Sequence, residues 1–331
     1  MHVQNYLIFV LSAVIILFFD KITKYTNFYD YPDKKRKIHN KPVSKLGGII
    51  VFLIGLNIFF YEFLNSEWNL KFFFLLIVTY ISIAFLSIID DYKQVSPNVR
   101  LLLNASILFL FFSINIDFSI DNLNFTSLSK SIDLNQGNIF FSVLCVLLLS
   151  NAINLADGFN GNSISHLIFW YLILYNINIV NNYFHILNLI FLILILIYNL
   201  KNKTFLGNNG TASVGFFISV LIINNYHNNF ITSVELIFLI FLIPGIDMLR
   251  VFLIRIYNNK NPFISDNQHL HHFIIKAFSR KAVLPLYLSI SFTPFILTYF
   301  LNEKYYLYLL IFYIIIYVII IQLLKKKIKN V

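Results

Sequence analysis

The chain has 331 residues, of which 58% are apolar and only 12% charged, with a mean hydropathy of +0.75 and a formal net charge of +10. That usage excludes a soluble globular domain of ordinary composition and points to a polytopic membrane protein. Cys145, the lone cysteine, lies inside an apolar run and excludes an internal disulfide and a cysteine-based metal site.

Taken in chain order, apolar runs suited to helical spans fall near 5–19, 46–63, 72–89, 101–116, 139–150, 164–179, 183–200, 212–226, 233–248, 283–300 and 305–324. The expected fold is therefore all-α, a polytopic bundle of about 11 transmembrane helices forming one integral membrane domain over 1–331. The runs at 139 and 212 are the shortest. The first run lacks a basic flank before it and a small-residue cleavage pattern after it, so it reads as a retained anchor. Placing the N-terminus outside puts 22 of the 25 Lys and Arg on inner segments, leaving only Lys71, Lys130 and Lys304 outside. This bias predicts a cytoplasmic C-terminus, and it explains the net charge by orientation and contact with anionic membrane lipids. Nucleic acid is excluded as a partner, because no basic soluble domain is present.

The inner loops, near 20–45, 90–100, 151–163, 201–211 and 249–282, carry the polar motifs. The first reads KKRKIHNKPVSKLGGI over 34–49. It serves either as a topogenic basic cluster or as a cationic surface with Arg36 and His39 as phosphate donors. The second places Asp90 and Asp91 side by side at a span end, a pair suited to a hard cation such as Mg2+ or to proton transfer, or simply to helix-end solvation. The outer stretch 117–133 reads as a solvated connector. NAINLADGFNG, over 151–161, then sets Asn154, Asp157 and Asn160 three apart beyond an apolar run, with Gly158 freeing the backbone. Its alternative is a polar kink packed within the bundle.

FLGNNGT, over 205–211, opens the next span with a tight polar turn whose amides suit a phosphate. The last large inner loop carries Asp247, Arg250 and Arg255, followed by Asp266, His269, His271 and His272 within seven positions. The histidines fit phosphate donation or proton transfer better than zinc, since their spacing is compressed and the other loops offer oxygen ligands.

Together, DD at 90–91, NxxNxxDGxxG at 151–161, FLGNNGT at 205–211, PxxD at 244–247 and DxxHLHH at 266–272 resemble the polyprenyl-phosphate N-acetylhexosamine-1-phosphate transferases, with HNKPVSKLGGI at 39–49 matching their first inner loop. The DxxHLHH form is closer to the branch that initiates surface polysaccharide than to the cell-wall translocases. The resemblance implies an enzyme of the bacterial inner membrane with its active site on the cytoplasmic face. It would use Mg2+, or Mn2+, to move HexNAc-1-phosphate from a UDP-N-acetylhexosamine to undecaprenyl phosphate, releasing UMP.

The resemblance also implies roles for particular residues. Asp90, Asp91, Asp157 and Asn208 would be metal ligands, with Asp90 or Asp91 alternatively activating the lipid phosphate. Asn154 would line the metal and nucleotide site. Gly158 and Asn160 would approach uracil, and Phe205 would stack on it. Arg255, His269, His271 and His272 would contact the diphosphate, with Asp247 and Asp266 beside them. Arg36 and His39 would bind substrate from the first loop, 257–267 would read the sugar, and a second copy of the chain is a candidate partner. Two positions depart from the family pattern: Asn160 and Asn208 stand where it usually has aspartate, the latter regarded as a metal ligand. Translocase-like activity and a non-catalytic lipid-phosphate-binding relative are the alternatives.

Overall fold

The computed structural model describes residues 3–32, 41–66, 68–93, 95–175, 183–261 and 267–329. Arg36, His39 and Asp266, and with Asp266 the rest of 262–266 in the 257–267 loop, lie outside the described residues. Within them the chain is an all-α bundle: α1 Val3–Leu17, α2 Phe19–Thr26, α3 Leu46–Asn65, α4 Leu70–Lys93, α5 Pro97–Ile114, α6 Asn138–Ala156, α7 Asn162–Leu174, α8 Tyr183–Leu200, α9 Gly207–His227, α10 Val234–Tyr257, α11 Leu270–Ala277, α12 Arg280–Ile296 and α13 Tyr306–Lys329. Start signals explain several boundaries. Pro97 occupies the first turn of α5, where its missing N–H is no loss. The hydroxyls of Ser233 and Ser279 accept from Leu236 N and Ala282 N at the heads of α10 and α12.

Among the described residues, eight helices are long and apolar enough to cross a membrane, and α1 and α7 are shorter apolar helices. The run at 139 belongs to one of the eight. The run at 212 belongs to α9, which is not among them and is the most enclosed helix, packed against α3, α4, α6 and α7. Its polar residues Asn209, Thr211 and Ser213 are buried inside protein, so its hydropathy is free to be low. Close backbone approach makes this packing possible. A Cβ on Gly48 of α3 would lie 2.7 Å from Gly210 N and 2.9 Å from Gly210 Cα.

Two sets of loops gather at opposite ends. At one, a two-residue pairing of Tyr29–Asp30 (β1) with Val43–Ser44 (β2) leads into α3, and Phe205 N donates to Ser44 O at 2.7 Å, strapping the start of α3 to the approach to α9. At the other, the expected connector is a hairpin, Asn122–Phe125 (β3) against Lys130–Asp133 (β4). Its backbone is tied down: Asn124 N donates to the Tyr226 hydroxyl at 2.8 Å, and Ser127 N to Glu235 at 3.1 Å. The plain reading as a solvated connector missed this, because polar Asn and Ser side chains give no sign of which backbone amides will be caught. The short helix α11 was likewise hidden within a loop read only for its histidines.

The apolar interior includes a large cluster running through α1–α10 and a smaller one, with Leu270, Ile274, Val283, Tyr287, Tyr317 and Ile321, joining α11, α12 and α13. Replacing Gly48 by Val should force α3 and α9 apart and cost about 2–3 kcal/mol. Thermal unfolding in detergent should show a clear loss for Gly48→Val and none for Gly245→Ala, whose Cβ would meet nothing within 4 Å.

Candidate active site

The site is built where α4 ends and α9 begins. Asp91, in the last turn of α4, accepts from Asn208 N at 3.1 Å and Asn209 N at 3.0 Å, so its carboxylate closes the N-terminus of α9. Lys45, the residue before α3, adds its ammonium at 3.0 Å from Asp91 and 3.7 Å from Asp30. Asp90 turns the other way: its carboxylate, 3% exposed, pairs with Arg100 at 2.7 Å. The adjacent aspartates expected to act as a pair thus serve different partners.

Asp157 caps the C-terminus of α6 and is half-buried. Burial pushes its carboxyl up to about 7, Ser163 holds the rise back, and the charges of Asp91 and Asp30 add to it. Asparagines fix the loop that follows. Gly161, at a φ of 86°, donates its N–H to Asn199, while Asn160 donates to Asn202 at 2.8 Å and Asn162 to Ala156 O at 2.6 Å. Asn160 therefore holds the loop against the end of α8. Asn154 accepts from the Thr211 hydroxyl at 3.3 Å, joining α6 to the first turn of α9.

A second polar group belongs to α10, α11 and α13. Asp247 accepts from Leu270 N at 3.1 Å and from Tyr317 at 2.6 Å, and pairs with Arg250 at 2.8 Å and His269 Nδ1 at 2.9 Å. With Nδ1 engaged, His269 presents Nε2 elsewhere, and that atom has no hydrogen-bond partner among the described residues. His271 stacks parallel to His269 at 5.9 Å and lies against Phe159 at 5.4 Å. Its ring fills the place a Cβ on Gly158 would take. Burial, and then the neighbouring His272 and His269, push His271 well below the usual imidazole range, so it is neutral at pH 7. This contact through Gly158 and Phe159 brings the histidines to the Asp157 loop.

Between α4, α5, α6, α9 and α10 lies a cavity of about 190 Å³. Arg100, Asn154, Asn208 and Arg255 are among its polar lining residues, and Ile83, Leu101, Leu108, Val146 and Phe252 among the apolar ones. Arg255 is 4% exposed. Phe205 is half-buried at the approach to α9.

Among the described residues, no three His, Cys, Asp or Glu side chains converge as a metal site. Oxygen donors are offered instead by Asn154 and Asn208, which line the cavity, and by the Asp157 carboxyl in the loop that follows Asn154, and all-oxygen ligation would fit a hard divalent cation. The raised Asp157 carboxyl is the observation favouring that fit, since a cation beside it would relieve the charge that burial opposes.

The sequence reading passed over Lys45, Asp30 and Tyr317. Lys45 was hidden within a basic run explained by topology, although its place two residues before Gly47 and Gly48 set it apart. Tyr317 stands in an apolar span seventy positions from Asp247, with no motif around it.

The glycosyl transferase family 4 profile matches residues 73–225, a stretch holding Asp90, Asp91, the Asp157 loop and the start of α9. The chain is 24% identical over 294 residues to a probable undecaprenyl-phosphate N-acetylglucosaminyl 1-phosphate transferase of Bacillus subtilis, covering 85% of this chain and 80% of that protein. It is 27% identical over 301 residues to the undecaprenyl-phosphate alpha-N-acetylglucosaminyl 1-phosphate transferase of Thermotoga maritima, covering 90% and 88%. A phospho-N-acetylmuramoyl-pentapeptide-transferase of Rickettsia bellii matches at 27% over 168 residues, 46% of this chain and 45% of its own length. Bundle, polar end and matches together define a multi-pass membrane enzyme. The chain is thus similar to glycosyl transferase family 4 over 73–225, and to the first two of these transferases over most of its length.

Because Asp157 is raised from 3.8 to about 7, folding favours its protonated form, and the penalty for ionising it grows as pH rises between those values. Asp157→Asn should therefore raise the melting temperature of the metal-free protein by about 2–4 °C at pH 8. The gain should shrink as pH falls below about 7 and vanish only below about pH 3, where both states are protonated; a gain independent of pH would contradict the assignment.

Proposed function

We propose that the protein transfers N-acetylhexosamine-1-phosphate from a UDP-sugar to undecaprenyl phosphate on the cytoplasmic face of a bacterial inner membrane. The product is a lipid-linked diphosphosugar that starts a surface or cell-wall glycan. The observation that carries this reading is the cavity, whose arginines and amides meet an apolar wall at the start of α9, where Asp91 holds Asn208 N. At about 190 Å³ it holds a phosphate headgroup and the first part of a chain. The remainder of a polyprenyl tail would lie along apolar side chains that α5 leaves exposed, such as Leu102, Phe109 and Leu110. N-acetylglucosamine is the favoured sugar, being the one named in the relatives that cover most of the chain. The placement of basic residues supports the cytoplasmic face.

In the transfer, an oxygen of the lipid phosphate forms a bond to the β-phosphorus of the UDP-sugar. The bond from that phosphorus to the α–β bridging oxygen breaks, and its electron pair leaves with UMP. Such a reaction needs alignment and charge neutralisation more than covalent help from the protein. Arg100, steadied by Asp90, and Arg255 would hold the acceptor phosphate in the cavity. His269, its Nδ1–H held by the Asp247 carboxylate, would donate Nε2–H to the diphosphate as imidazolium; His271, neutral, and His272 would stand beside it. Gly158, Asn160 and Phe205 would border the uridine, with Arg36, His39 and Asp266 completing substrate contacts.

Asp157, with Asn154 and Asn208 and beside Asp91, would hold Mg2+ or Mn2+. When bound, the ion would supply neutralisation of the diphosphate. Asn208 offers a carbonyl oxygen where the family pattern has a carboxylate, a weaker ligand that still suits the ion.

Purified protein with Mg2+, undecaprenyl phosphate and labelled UDP-N-acetylglucosamine should release UMP and yield a diphosphosugar lipid of the matching mass. Absence of UMP with every UDP-N-acetylhexosamine tried would overturn the reading. Asn208→Asp separates an adapted site from a decayed one: retained or reduced turnover marks adaptation, whereas activity appearing from none marks a non-catalytic relative. Tyr317→Phe should lower kcat about tenfold with little change in KM for the UDP-sugar, because it loosens the carboxylate that aims His269.

A further inference from the structure

Lys45 brings a positive charge into the wall of the site. Its ammonium is 3.0 Å from Asp91 Oδ1, 3.1 Å from the Asp91 carbonyl oxygen and 3.7 Å from Asp30 Oδ1. The Lys45 side chain is 11% exposed and that of Asp91 1%. Oδ1 of Asp91 also accepts from Asn208 N, and Oδ2 from Asn209 N. An ionised carboxylate offers about four lone-pair sites, and the chain's own donors already occupy three of them. Gly207, at a φ of 67°, packs against the same group: a Cβ there would lie 2.9 Å from Asp91 Oδ2 and 3.3 Å from Cδ of Lys45. Lysine, carboxylate and helix start are thus fitted together with no space between them.

Asp157 is situated differently. It makes no ion pair among the described residues, although it is close enough to feel the charges of both Asp91 and Asp30. Asn208 keeps the neighbourhood one negative charge lighter than the family pattern.

We propose that Lys45 is a resident cation for Asp91, so that the divalent ion of the transfer reaction is anchored by Asp157 and Asp91 stays a positioning residue. The proposal rests on the metal-assisted transfer described above. Lys45 and the first amides of α9 hold Asp91 in its place, and this fixes the level of Asn208 beside the cavity. An ion could reach Asp91 only by displacing a buried ammonium, which would leave that charge unpaired. The site therefore contains two cations of different kinds, one belonging to the chain and one exchangeable. The fixed one neutralises the carboxylate that anchors α9, leaving the exchangeable one to the substrate's phosphates.

Titration of the purified full-length protein with Mn2+, read by electron paramagnetic resonance without substrates, tests this. Asp157→Asn should weaken binding roughly tenfold or more, while Asp91→Asn should change it less than about twofold. Lys45→Met should tighten binding roughly tenfold by freeing Asp91, and the double variant Lys45→Met/Asp91→Asn should lose that gain. A tenfold loss on Asp91→Asn alone, an unchanged affinity in folded Lys45→Met, or no Mn2+ bound by the unaltered protein would each overturn the proposal. Where Lys45→Met fails to fold, Asp91→Asn and Asp157→Asn decide the matter. Failure of the transferase reading registers separately, as absent UMP release, because the titration needs no turnover.

Discussion

The start of α9 must be satisfied inside a bundle that offers it little water, and Asp91 is the group that does so. A helix leaves its first amides without partners, and burying them unpaired costs more than a surface position would. Asp91 takes two of them, Asn208 N and Asn209 N, and Lys45 balances the charge this introduces. Because these residues come from the ends of α3, α4 and α9, one electrostatic knot holds three helices at a common level. Asn154 joins through Thr211, Arg100 through its pairing with the neighbouring Asp90, and the cavity takes its polar lining from what these contacts align.

The histidines depend on a separate arrangement. Asp247 binds His269, Arg250, Tyr317 and the first amide of α11, so the α11 loop is oriented by the smaller apolar cluster and not by the larger one. The two units meet where Phe159 and His271 touch across Gly158. A side chain at residue 158 would collide with the imidazole that crosses there. That glycine is therefore a point of closure between a carboxylate loop and a histidine loop from opposite halves of the sequence.

Much of this was legible from residue order. Hydropathy and charge bias gave the all-α membrane bundle, and the described parts of the polar motifs meet at one end of it, Ser44 with Phe205, Asp91 with Asn208 and Gly158 with His271. Spacing did not reveal how neighbours divide their work. Asp90 and Asp91 are adjacent, yet successive residues on a helix point in different directions, one toward Arg100 and the other toward Lys45. Asn160 is held by Asn202, a contact between loops that no pattern in the sequence records. Lys45 and Tyr317 act only through residues remote in sequence, so nothing local marked them.

The hairpin at the far end has a bearing on this chemistry despite its distance. Ser127 N donates to Glu235 at the top of α10, while Ser127 Oγ accepts from Leu307 N at the top of α13. From Glu235 to Asp247 an α-helix rises about 18 Å, and from Leu307 to Tyr317 about 15 Å. A single serine thus serves as a common datum for two helices, and the phenol and carboxylate that meet at the other end are levelled from it. One helical step of slip in α13 would move Tyr317 by about 1.5 Å, half the length of the hydrogen bond it makes. The loop on one side of the membrane is, in this sense, the gauge that calibrates the site on the other.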